Sequence, residues 1–489
     1  MRRRWEFVID VDRAAAMPPF LQIARGLSDD IRRGRLRPGD RLPGSRQLAS
    51  TAGVHRNTVI AAYAELAAEG WIETALGRGT FVAAAIPEAG GRPLAGNLAA
   101  RRSVPAGTLL RLADAPDAYR PPALPPGTLN LSSGAPDIRL VPSRLVGRAY
   151  RRVLATRATE VLGYGDPEGH PSLRSAVAAM LVATRGLSVA PGDVLVTRGS
   201  QMALSLVARA LLRPGDCVAV EQWGYRPAWE AFRAAGATTV AVPVDRDGID
   251  VEALRRLAER TRLRAVYLTP HHQYPTTVTL KAARRMDVLA LAREAELAII
   301  EDDYDHEFHY DGRPVLPMAS VDRAGVVVYI GTLSKVLAPG LRVGYIVAPP
   351  AVLRQAAAVR SVLDIQGDLA TEAAVAAMIE DGEVQRHIAR VRRLYSDRRS
   401  ALADALRRTL GALVEFDVPA SGMALWLKFD GGTDVDGWAR RSLERGVSFY
   451  TGRRYAFDQQ PHPYVRLSFA SLNEREISEA VKRMAAARR

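Results

Sequence analysis

The chain of 489 residues contains one cysteine, four lysines and no long uninterrupted apolar segment. Cys217 has no second cysteine to pair with, which excludes an internal disulfide and suits a reducing compartment. The longest apolar runs have about ten residues, far short of the roughly 20 that a membrane-spanning helix needs. Acidic residues closely follow the basic residues 2–4, so we expect no signal peptide. These absences predict a cytoplasmic protein.

The bulk composition is that of a globular protein with several domains. Hydrophobic residues make up 48% of the chain and charged residues 25%, and 489 residues are too many for one ordinary core. The net charge of +14 favours polyanionic partners. Residues 1–85 hold 13 arginines and nine acidic residues, a net charge of +4, so the charge permits nucleic-acid binding without locating it.

The scarcity of lysine directs attention to Lys335. Only four of the 67 basic residues are lysines, and Lys335 lies in the string GTLSK directly after the apolar run 326–330. A primary amine forms a Schiff base with an aldehyde, whereas the guanidinium of arginine does not. We therefore predict that Lys335 is a reactive amine at the end of a buried strand.

A second polar cluster lies about 30 residues upstream. The apolar stretch 297–300 leads into EDDYD, which supplies Asp302 and Tyr304. An amine for an imine, a carboxylate for a pyridinium nitrogen and a phenol for a ring hydroxyl are the groups that a pyridoxal phosphate site needs. Lys335, Asp302 and Tyr304 together predict this cofactor.

Beyond residue 128, apolar runs alternate with helical patterns. Such alternation is typical of a mostly parallel sheet covered by helices, and ligands of open sheets bind beyond the carboxyl ends of the strands. The polar strings GSQ, EQWGY, HHQYP, EDDYD and GTLSK each follow an apolar run and so fall at that end. From about residue 370, arginine- and alanine-rich helices mix with short strands and indicate a smaller α+β lobe.

Residues 17–84 show another pattern. Helical spacing over residues 19–33 is followed by a short helix that Ser45 is expected to cap, a turn at Gly53 and a second helix from about Arg56. The outer face of that second helix begins with Arg56, Asn57 and Thr58, where a recognition helix presents donors to DNA. Two short strands on either side of an arginine at position 78 would form a wing.

Residues 34–82, GRLRPGDRLPGSRQLASTAGVHRNTVIAAYAELAAEGWIETALGRGTFV, resemble the winged helix-turn-helix of GntR-type regulators. The resemblance implies DNA contacts from the recognition region and the wing, namely Arg46, Arg56, Asn57, Thr58, Arg78 and Gly79. His55 replaces the usual hydroxyl residue that caps the recognition helix, which would weaken the cap by roughly 1 kcal/mol if histidine cannot substitute. Ile60 stands where relatives often carry arginine.

Residues 85–127 contain eight prolines and five glycines, a composition typical of a linker. As a flexible coil this segment would span on the order of 35 to 40 Å. That length is enough to bring one domain beside another subunit.

Residues 128–489 resemble a fold type I aminotransferase with its smaller carboxyl-terminal lobe. The strings that carry the resemblance occur in the family's order, and they are YGDPEGHPSLR at 164–174, GSQ at 199–201, HQYPT at 272–276, EDDYD at 301–305 and SKVLAPGLR at 334–342. Together with the amino-terminal module, this body resembles the MocR subfamily of GntR-type regulators. The expected fold is therefore a winged helix-turn-helix joined to an α/β aminotransferase-like, pyridoxal-phosphate-binding domain.

The resemblance also assigns roles to individual residues. It implies an internal aldimine at Lys335, a pyridinium partner in Asp302 rather than Asp303, a hydrogen bond from Tyr304 to the ring hydroxyl and a ring-stacking Tyr225. The phosphate ligands that it implies are Ser200, Gln201, Thr332 and Arg342. Ser200 and Gln201 also open a predicted helix, where free N–H groups favour an anion. Arg466, in YVRLSFASL, resembles the arginine that binds a substrate carboxylate.

Three positions depart from the family pattern. Tyr274 occupies the place of the asparagine in NPTG, Thr277 stands where glycine normally follows, and Trp223 replaces a proline. The change at Tyr274 is typical of the regulators and indicates weakened turnover. Four histidines lie on two loops without the spacing of metal ligands, so we expect no metal site: His271, His272, His306 and His309.

These observations predict a transcription regulator that senses an amino-group metabolite by forming an external aldimine. The resemblance implies a homodimer, domain-swapped in that each amino-terminal arm packs on the partner's body. Three alternatives stay open. They are a working aminotransferase with a vestigial arm, a regulator of vitamin B6 synthesis that senses pyridoxal phosphate itself, and a plain DNA-binding repressor. Whether the body retains a half-transamination is also open.

Overall fold

The computed structural model describes residues 11–12, 15, 17–75, 78–86, 123–132, 134–312 and 315–488. The chain divides into two compact units, residues 1–113 and 114–489. The predicted linker lies outside the described residues except at positions 85–86 and 123–127. None of the helices in the described ranges combines the length and apolarity required to cross a bilayer.

The amino-terminal unit is a three-helix module followed by a β-hairpin. Its elements are α1 Pro19–Arg32, α2 Ser45–Thr51, α3 Arg56–Ala68, β1 Ile72–Ala75 and β2 Gly79–Val82. The strands β1 and β2 pair antiparallel. Leu27, Leu48 and Leu66, one from each helix, are at most 1% exposed and share one small core. This arrangement confirms the predicted winged helix-turn-helix.

The caps of helices α2 and α3 differ from the expectation, although α3 begins at Arg56 as predicted. Ser45 is the first residue of α2 and not its cap, because Gly44 occupies the cap position and offers no side chain. The Ser45 hydroxyl instead accepts a hydrogen bond from Nε of Arg56 at 3.2 Å. His55 does cap α3, since its Nδ1 accepts from the Asn57 N–H at 3.3 Å. An imidazole therefore performs the task for which a hydroxyl was expected.

Removing this cap should destabilise the amino-terminal unit modestly. We expect His55→Ala to lower its free energy of unfolding by about 0.5 to 1 kcal/mol, because one first-turn N–H loses its acceptor. His55→Ser should restore or exceed the original stability. Hydrogen exchange of peptides from residues 17–75 across a urea series, which reports this unit separately from the large one, measures the change. Equal stability of wild type and His55→Ala would show that the long 3.3 Å contact contributes nothing.

The large unit is built on a seven-stranded sheet. In spatial order its strands are β4 Val194–Thr197, β12 Gly344–Val347, β11 Val327–Thr332, β10 Ala298–Asp303, β9 Leu263–Leu268, β5 Cys217–Glu221 and β6 Thr238–Val242. Only β12 runs antiparallel to its neighbours. The strands are rich in β-branched residues and almost wholly buried, as expected of a sheet with helices on both faces. The predicted mostly parallel sheet is confirmed.

Helices cover both faces of this sheet. They are α4 Ser143–Thr156, α5 Ala158–Val161, α6 Pro171–Arg185, α7 Ser200–Leu211, α8 Arg226–Ala234, α9 Val251–Arg260, α10 Ala282–Glu294 and α11 Pro350–Leu363. Helices α7, α8 and α11 pack on one face and α9 and α10 on the other. A small hairpin, β7 Val244–Asp245 and β8 Gly248–Ile249, precedes α9.

The carboxyl-terminal part contains helices α12 Leu369–Glu380, α13 Glu383–Leu410, α14 Val435–Glu444 and α15 Glu474–Ala486. Its antiparallel sheet has the order β13 Val414–Glu415, β14 Ala424–Phe429, β17 Tyr464–Ser468 and β16 Tyr450–Thr451. Helix α12 packs against α4 and α6 of the large body, so the elements of the lobe proper begin with α13. A further pair joins β3 Leu129–Asn130 to β15 Val447–Ser448, and no local pattern predicted it.

Candidate functional site

A cavity of about 410 Å³ lies beyond the carboxyl ends of the central strands. It is lined by all nine of the cofactor and substrate residues that the sequence predicted: Ser200, Gln201, Tyr225, Asp302, Tyr304, Thr332, Lys335, Arg342 and Arg466. These residues are separated by up to 266 positions in the sequence, and the fold brings them together because strands β10 and β11 end at the same edge. Their individual roles stay predictions.

The alternation of strand β10 explains why Asp302, and not Asp303, faces this cavity. Successive side chains of a strand point to opposite faces. Asp302 lines the cavity, whereas Asp303 contacts Arg185 at 3.4 Å and accepts a hydrogen bond from Tyr329 on the other side. Although burial opposes its ionisation, His306 and Arg185 lower the pKa of Asp303. Asp303 is thus a charged structural residue, and Asp302 is the one available to a ligand.

Asp302 has an incomplete set of hydrogen bonds. Its Oδ2 accepts from the Tyr267 hydroxyl at 2.8 Å, while its buried Oδ1 has no hydrogen-bond partner among the described residues. Burial raises the pKa of Asp302 to about 7, although the Tyr267 hydrogen bond and the charge of Lys335 oppose the rise. A cationic N–H donor placed at Oδ1 would satisfy this oxygen and restore the ionised carboxylate.

Lys335 follows β11 and extends into the same space. Its Nζ donates to the carbonyl oxygen of Gly134 at 2.8 Å. Burial, and next the positive charge of Arg466, lower the pKa of Lys335 to about 8. A Cβ added at Gly134 would lie 3.8 Å from the Lys335 Nζ and 3.9 Å from Nη1 of Arg466. The amine and the guanidinium therefore both lie within 4 Å of one point above Gly134, where a single small molecule would contact the two groups.

One end of the cavity is rich in donors for an anion. Helix α7 begins at Ser200, so the first N–H groups of the helix are free of intrahelical partners there. Gly199 precedes it with φ +81°, and a Cβ at that position would lie 2.9 Å from Nη2 of Arg342. Arg342 donates to the carbonyl oxygen of Arg198 at 2.8 Å. Glycine at 199 thus permits the close approach of an arginine to a helix start.

Arg466 is the most unusual group of the cavity. It is 2% exposed, and its Nε and Nη1 have no hydrogen-bond acceptor among the described residues. Its guanidinium carbon lies 4.9 Å from the centre of the Tyr274 ring. A buried guanidinium costs free energy unless acceptors complete it. The arrangement leaves room for a carboxylate from a ligand, with Tyr274 supporting the guanidinium from one side.

Tyrosines line the remaining wall. Tyr274 contacts Tyr225 and Tyr304 edge to face, with ring centres 5.7 Å and 5.9 Å apart. Burial raises the pKa of Tyr304 well above its ordinary value, which keeps the phenol protonated and able to donate. Tyr274 therefore contacts three of the predicted site residues: Tyr225, Tyr304 and Arg466.

Sequence reasoning missed several residues of the cavity. Tyr267 holds Asp302 from within β9, and Gly134 accepts the hydrogen bond of Lys335. Ser334, beside the lysine, has a buried hydroxyl without a partner among the described residues. Ser334 is adjacent to Lys335 and so could have been found from the motif, whereas Tyr267 and Gly134 carry no local signal.

The residues of the cavity fit pyridoxal phosphate. The orphaned carboxylate oxygen of Asp302 suits a protonated ring nitrogen, and the helix start with Arg342 suits a phosphate. The partly buried amine of Lys335 suits an aldehyde. These groups therefore match the ring nitrogen, the phosphate and the aldehyde of one molecule.

Three of the four histidines, His271, His272 and His306, pack together, and His309 lies beside Arg392. The rings of His271 and His306 have centres 4.3 Å apart, and burial lowers the pKa of His271 to about 2. His272 bonds Asp305 at 2.6 Å and also contacts Ser421. Within the part of the chain that the structure describes, no three potential ligands are arranged to hold a metal ion.

The amino-terminal unit presents its predicted DNA residues on its surface. Arg46, Arg56 and Asn57 are exposed, and Thr58 is partly buried. Arg78 is exposed at the wing, and the residues before it, 76–77, lie outside the described ranges. Gly79 has φ +117°, and a Cβ there would lie 3.0 Å from Nε of Arg41. Arg41 is thus a further exposed arginine beside the wing, which the sequence did not single out.

Comparison with known proteins supports both halves of the chain. The family model for bacterial regulatory proteins of the gntR family matches residues 19–82, and that for aminotransferase class I and II matches residues 126–484. The probable rhizopine catabolism regulatory protein MocR of Rhizobium meliloti is 33% identical over 479 residues, 98% of this chain and 95% of that protein.

Two further proteins are similar over about three quarters of the chain. The pyridoxine biosynthesis transcriptional regulator PdxR of Corynebacterium glutamicum is 33% identical over 378 residues, 77% of this chain and 76% of that protein. The crystal structure of LysN, an alpha-aminoadipate aminotransferase of Thermus thermophilus complexed with N-(5'-phosphopyridoxyl)-L-leucine, covers 74% of this chain and 92% of its own. Its TM-score is 0.69 and its identity 32%.

Proposed function

We propose that this chain, which belongs to the MocR-type subfamily of GntR regulators, is a transcription regulator whose aminotransferase-like body senses an amino-group metabolite through pyridoxal phosphate. In this proposal the amino-terminal unit binds promoter DNA and the body binds the effector. The cofactor and the effector are two ligands of one cavity, and DNA is the ligand of the other unit.

A single observation carries the proposal. Nε and Nη1 of Arg466, which lack hydrogen-bond acceptors among the described residues, share a buried cavity with the amine of Lys335, and both side chains approach Gly134. An amino acid carries both a carboxylate and an amine, so its carboxylate would complete Arg466 while its amine points toward Lys335. Two donors to one carboxylate fix its orientation as well as its position.

The other residues of the cavity would hold the cofactor. When bound, pyridoxal phosphate supplies an aldehyde for amines and a ring that withdraws electrons. Asp302 would keep a proton on the ring nitrogen, and Tyr304 would donate to the ring hydroxyl. The start of α7 with Thr332 and Arg342 would bind the phosphate, and Tyr225 would pack on the ring face. Lys335 supplies the amine that an effector amine must replace.

Replacement of Lys335 gives the ligand its influence on conformation. A freed Lys335 amine can donate to the Gly134 carbonyl, as it does in this structure, whereas an amine linked to the cofactor would be held away from that oxygen, so the liganded and unliganded states would differ in their contacts. A ligand shifts a conformational equilibrium only through such a difference. The proposal includes a homodimer in which each arm packs against the partner's body, so that movement of the bodies repositions the arms on DNA.

The pH dependence of cofactor uptake should report the environment of Lys335. Below a pKa of about 8 the amine is protonated and cannot attack an aldehyde, so we expect the rate of uptake to rise about tenfold per pH unit and to level off above pH 8. Arg466→Met should move this midpoint upward because it removes a positive charge that disfavours the ammonium. Stopped-flow absorbance of cofactor-free protein mixed with pyridoxal phosphate gives the profile. A wild-type midpoint near the ordinary value of lysine would contradict the assignment.

A second candidate function has support from one relative. PdxR, which matches 77% of this chain, is named for pyridoxine biosynthesis. On this hypothesis pyridoxal phosphate itself is the signal. DNA affinity that changes on adding the cofactor, with no further change on adding amines, would select this alternative over an amino-acid sensor.

Titration of purified holoprotein tests the main proposal. A panel of amino acids and their decarboxylated and deaminated analogues is added while the cofactor spectrum and the binding to the protein's own upstream DNA are both recorded. We expect one class of amine to change the spectrum and the DNA affinity over the same concentration range. Rapid multiple-turnover transfer of the amino group to keto acids, without specific DNA binding, would instead identify a working aminotransferase.

A further inference from the structure

The outward face of the recognition helix α3 is unusually apolar after its first two residues. The exposed residues of α3 beyond Asn57 are Ile60, Ala64, Ala67 and Ala68, none of which can donate or accept a hydrogen bond through its side chain. Ile60 is 45% exposed. A helix that faces water normally carries polar side chains on its outer face. This face therefore suits a partner that offers apolar groups.

Ile60 lies at the centre of that face, beside two donors. In an α-helix, residues three and four apart are neighbours, so Ile60 is next to Asn57 and Arg56 on one side and Ala64 on the other. The inner apolar residues of α3 are fully buried in the small core, among them Val59 and Leu66. The small core therefore does not include Ile60, which lies on the exposed face of α3 and not on its packing face.

On the basis of the DNA-binding function proposed for this unit, we propose that Ile60 contacts the 5-methyl group of a thymine in the major groove. The methyl group of thymine is the one apolar feature of a base edge there, and apolar side chains are its ordinary partners. Arg56 and Asn57 would bind base edges or phosphates about one helical turn away. The neighbouring Ala64 leaves the isoleucine free to approach the base without obstruction.

A contact between Ile60 and a thymine methyl group predicts a specific change in DNA affinity. Burial of one methyl group is worth a factor of roughly four in affinity. Replacing the contacted thymine by deoxyuridine removes only that methyl group, so it should weaken binding about fourfold. In Ile60→Ala the same replacement should have almost no effect, because the partner of the methyl group is gone.

Site selection from random DNA with the full-length protein defines the sequence for the test. Each thymine of the selected site is then replaced by deoxyuridine, and the affinities of wild type, Ile60→Ala and Val182→Ala are measured. Val182 is a 52% exposed apolar residue on α6 of the other unit and serves as the matched control. We expect deoxyuridine at one thymine per half-site to weaken DNA binding by wild type and by Val182→Ala, but not by Ile60→Ala.

The possible failures are distinguishable. Absence of any sequence-specific binding would overturn the proposed DNA-binding function itself. Specific binding with no sensitive thymine, or a sensitive thymine whose penalty persists in Ile60→Ala, would overturn this inference and leave DNA binding intact.

Discussion

Lys335→Arg is expected to abolish covalent retention of pyridoxal phosphate. Arginine keeps the positive charge and much of the volume of lysine but cannot condense with an aldehyde. The amount of cofactor bound to the variant should therefore fall to the background level after gel filtration. The DNA binding of the variant should also no longer respond to amines. Binding to DNA in the absence of effector should persist, because the amino-terminal unit has its own core.

Lys281→Arg is the matched control. Lys281 is exposed, pairs with Asp247 at 2.6 Å and does not belong to the described lining of the cavity. This variant should keep the cofactor and its spectrum. Loss of cofactor in both variants would indicate general damage, whereas retention in both would show that Lys335 is not the point of attachment.

Arg466→Met is expected to cause the second large effect, on the affinity for effectors that contain a carboxylate. Removing one partner of a buried charge pair costs about 2 to 5 kcal/mol, which corresponds to an affinity loss of at least about thirtyfold. The cofactor itself should still bind, because its predicted ligands are other residues. Spectral titration of the holoprotein variant with the active amine measures the loss.

The carboxylate dependence can be separated from general damage. The decarboxylated analogue of the active amino acid cannot pair with Arg466, so its affinity should differ little between wild type and Arg466→Met. Arg209→Met, which changes an exposed arginine on α7, should leave both affinities unchanged. An equal loss for the amino acid and its decarboxylated analogue would contradict the proposed pairing.

Much of the fold was predictable because its signals are local. The runs of β-branched residues at 194–197 and 327–332 are strands as expected, since a parallel strand buried on both faces reads as a continuous apolar run. The polar strings that follow these runs lie at one edge of the sheet because the carboxyl ends of the strands meet there. Lys335, Asp302 and Tyr304 were therefore found from the residues themselves, whereas the family resemblance supplied the other six cavity residues and decided between Asp302 and its neighbour.

What the sequence did not predict depends on contacts between distant segments. Tyr267 meets Asp302 across two neighbouring strands, and Gly134 meets Lys335 across 201 positions. The pairing of β3 with β15 and the packing of α12 on the body are likewise set by the tertiary fold. The cap by His55 was underestimated because an imidazole nitrogen, like a hydroxyl, accepts a hydrogen bond when it is unprotonated.

Reduction of the holoprotein with borohydride, followed by mass analysis of its peptides, tests the central claim most directly. Borohydride converts an imine into a stable secondary amine, so the peptide that contains Lys335 should carry the mass of a phosphopyridoxyl group. The other three lysines should be unmodified. A folded, cofactor-loaded protein whose Lys335 peptide has its unmodified mass would contradict the proposed linkage and the sensing mechanism that depends on it.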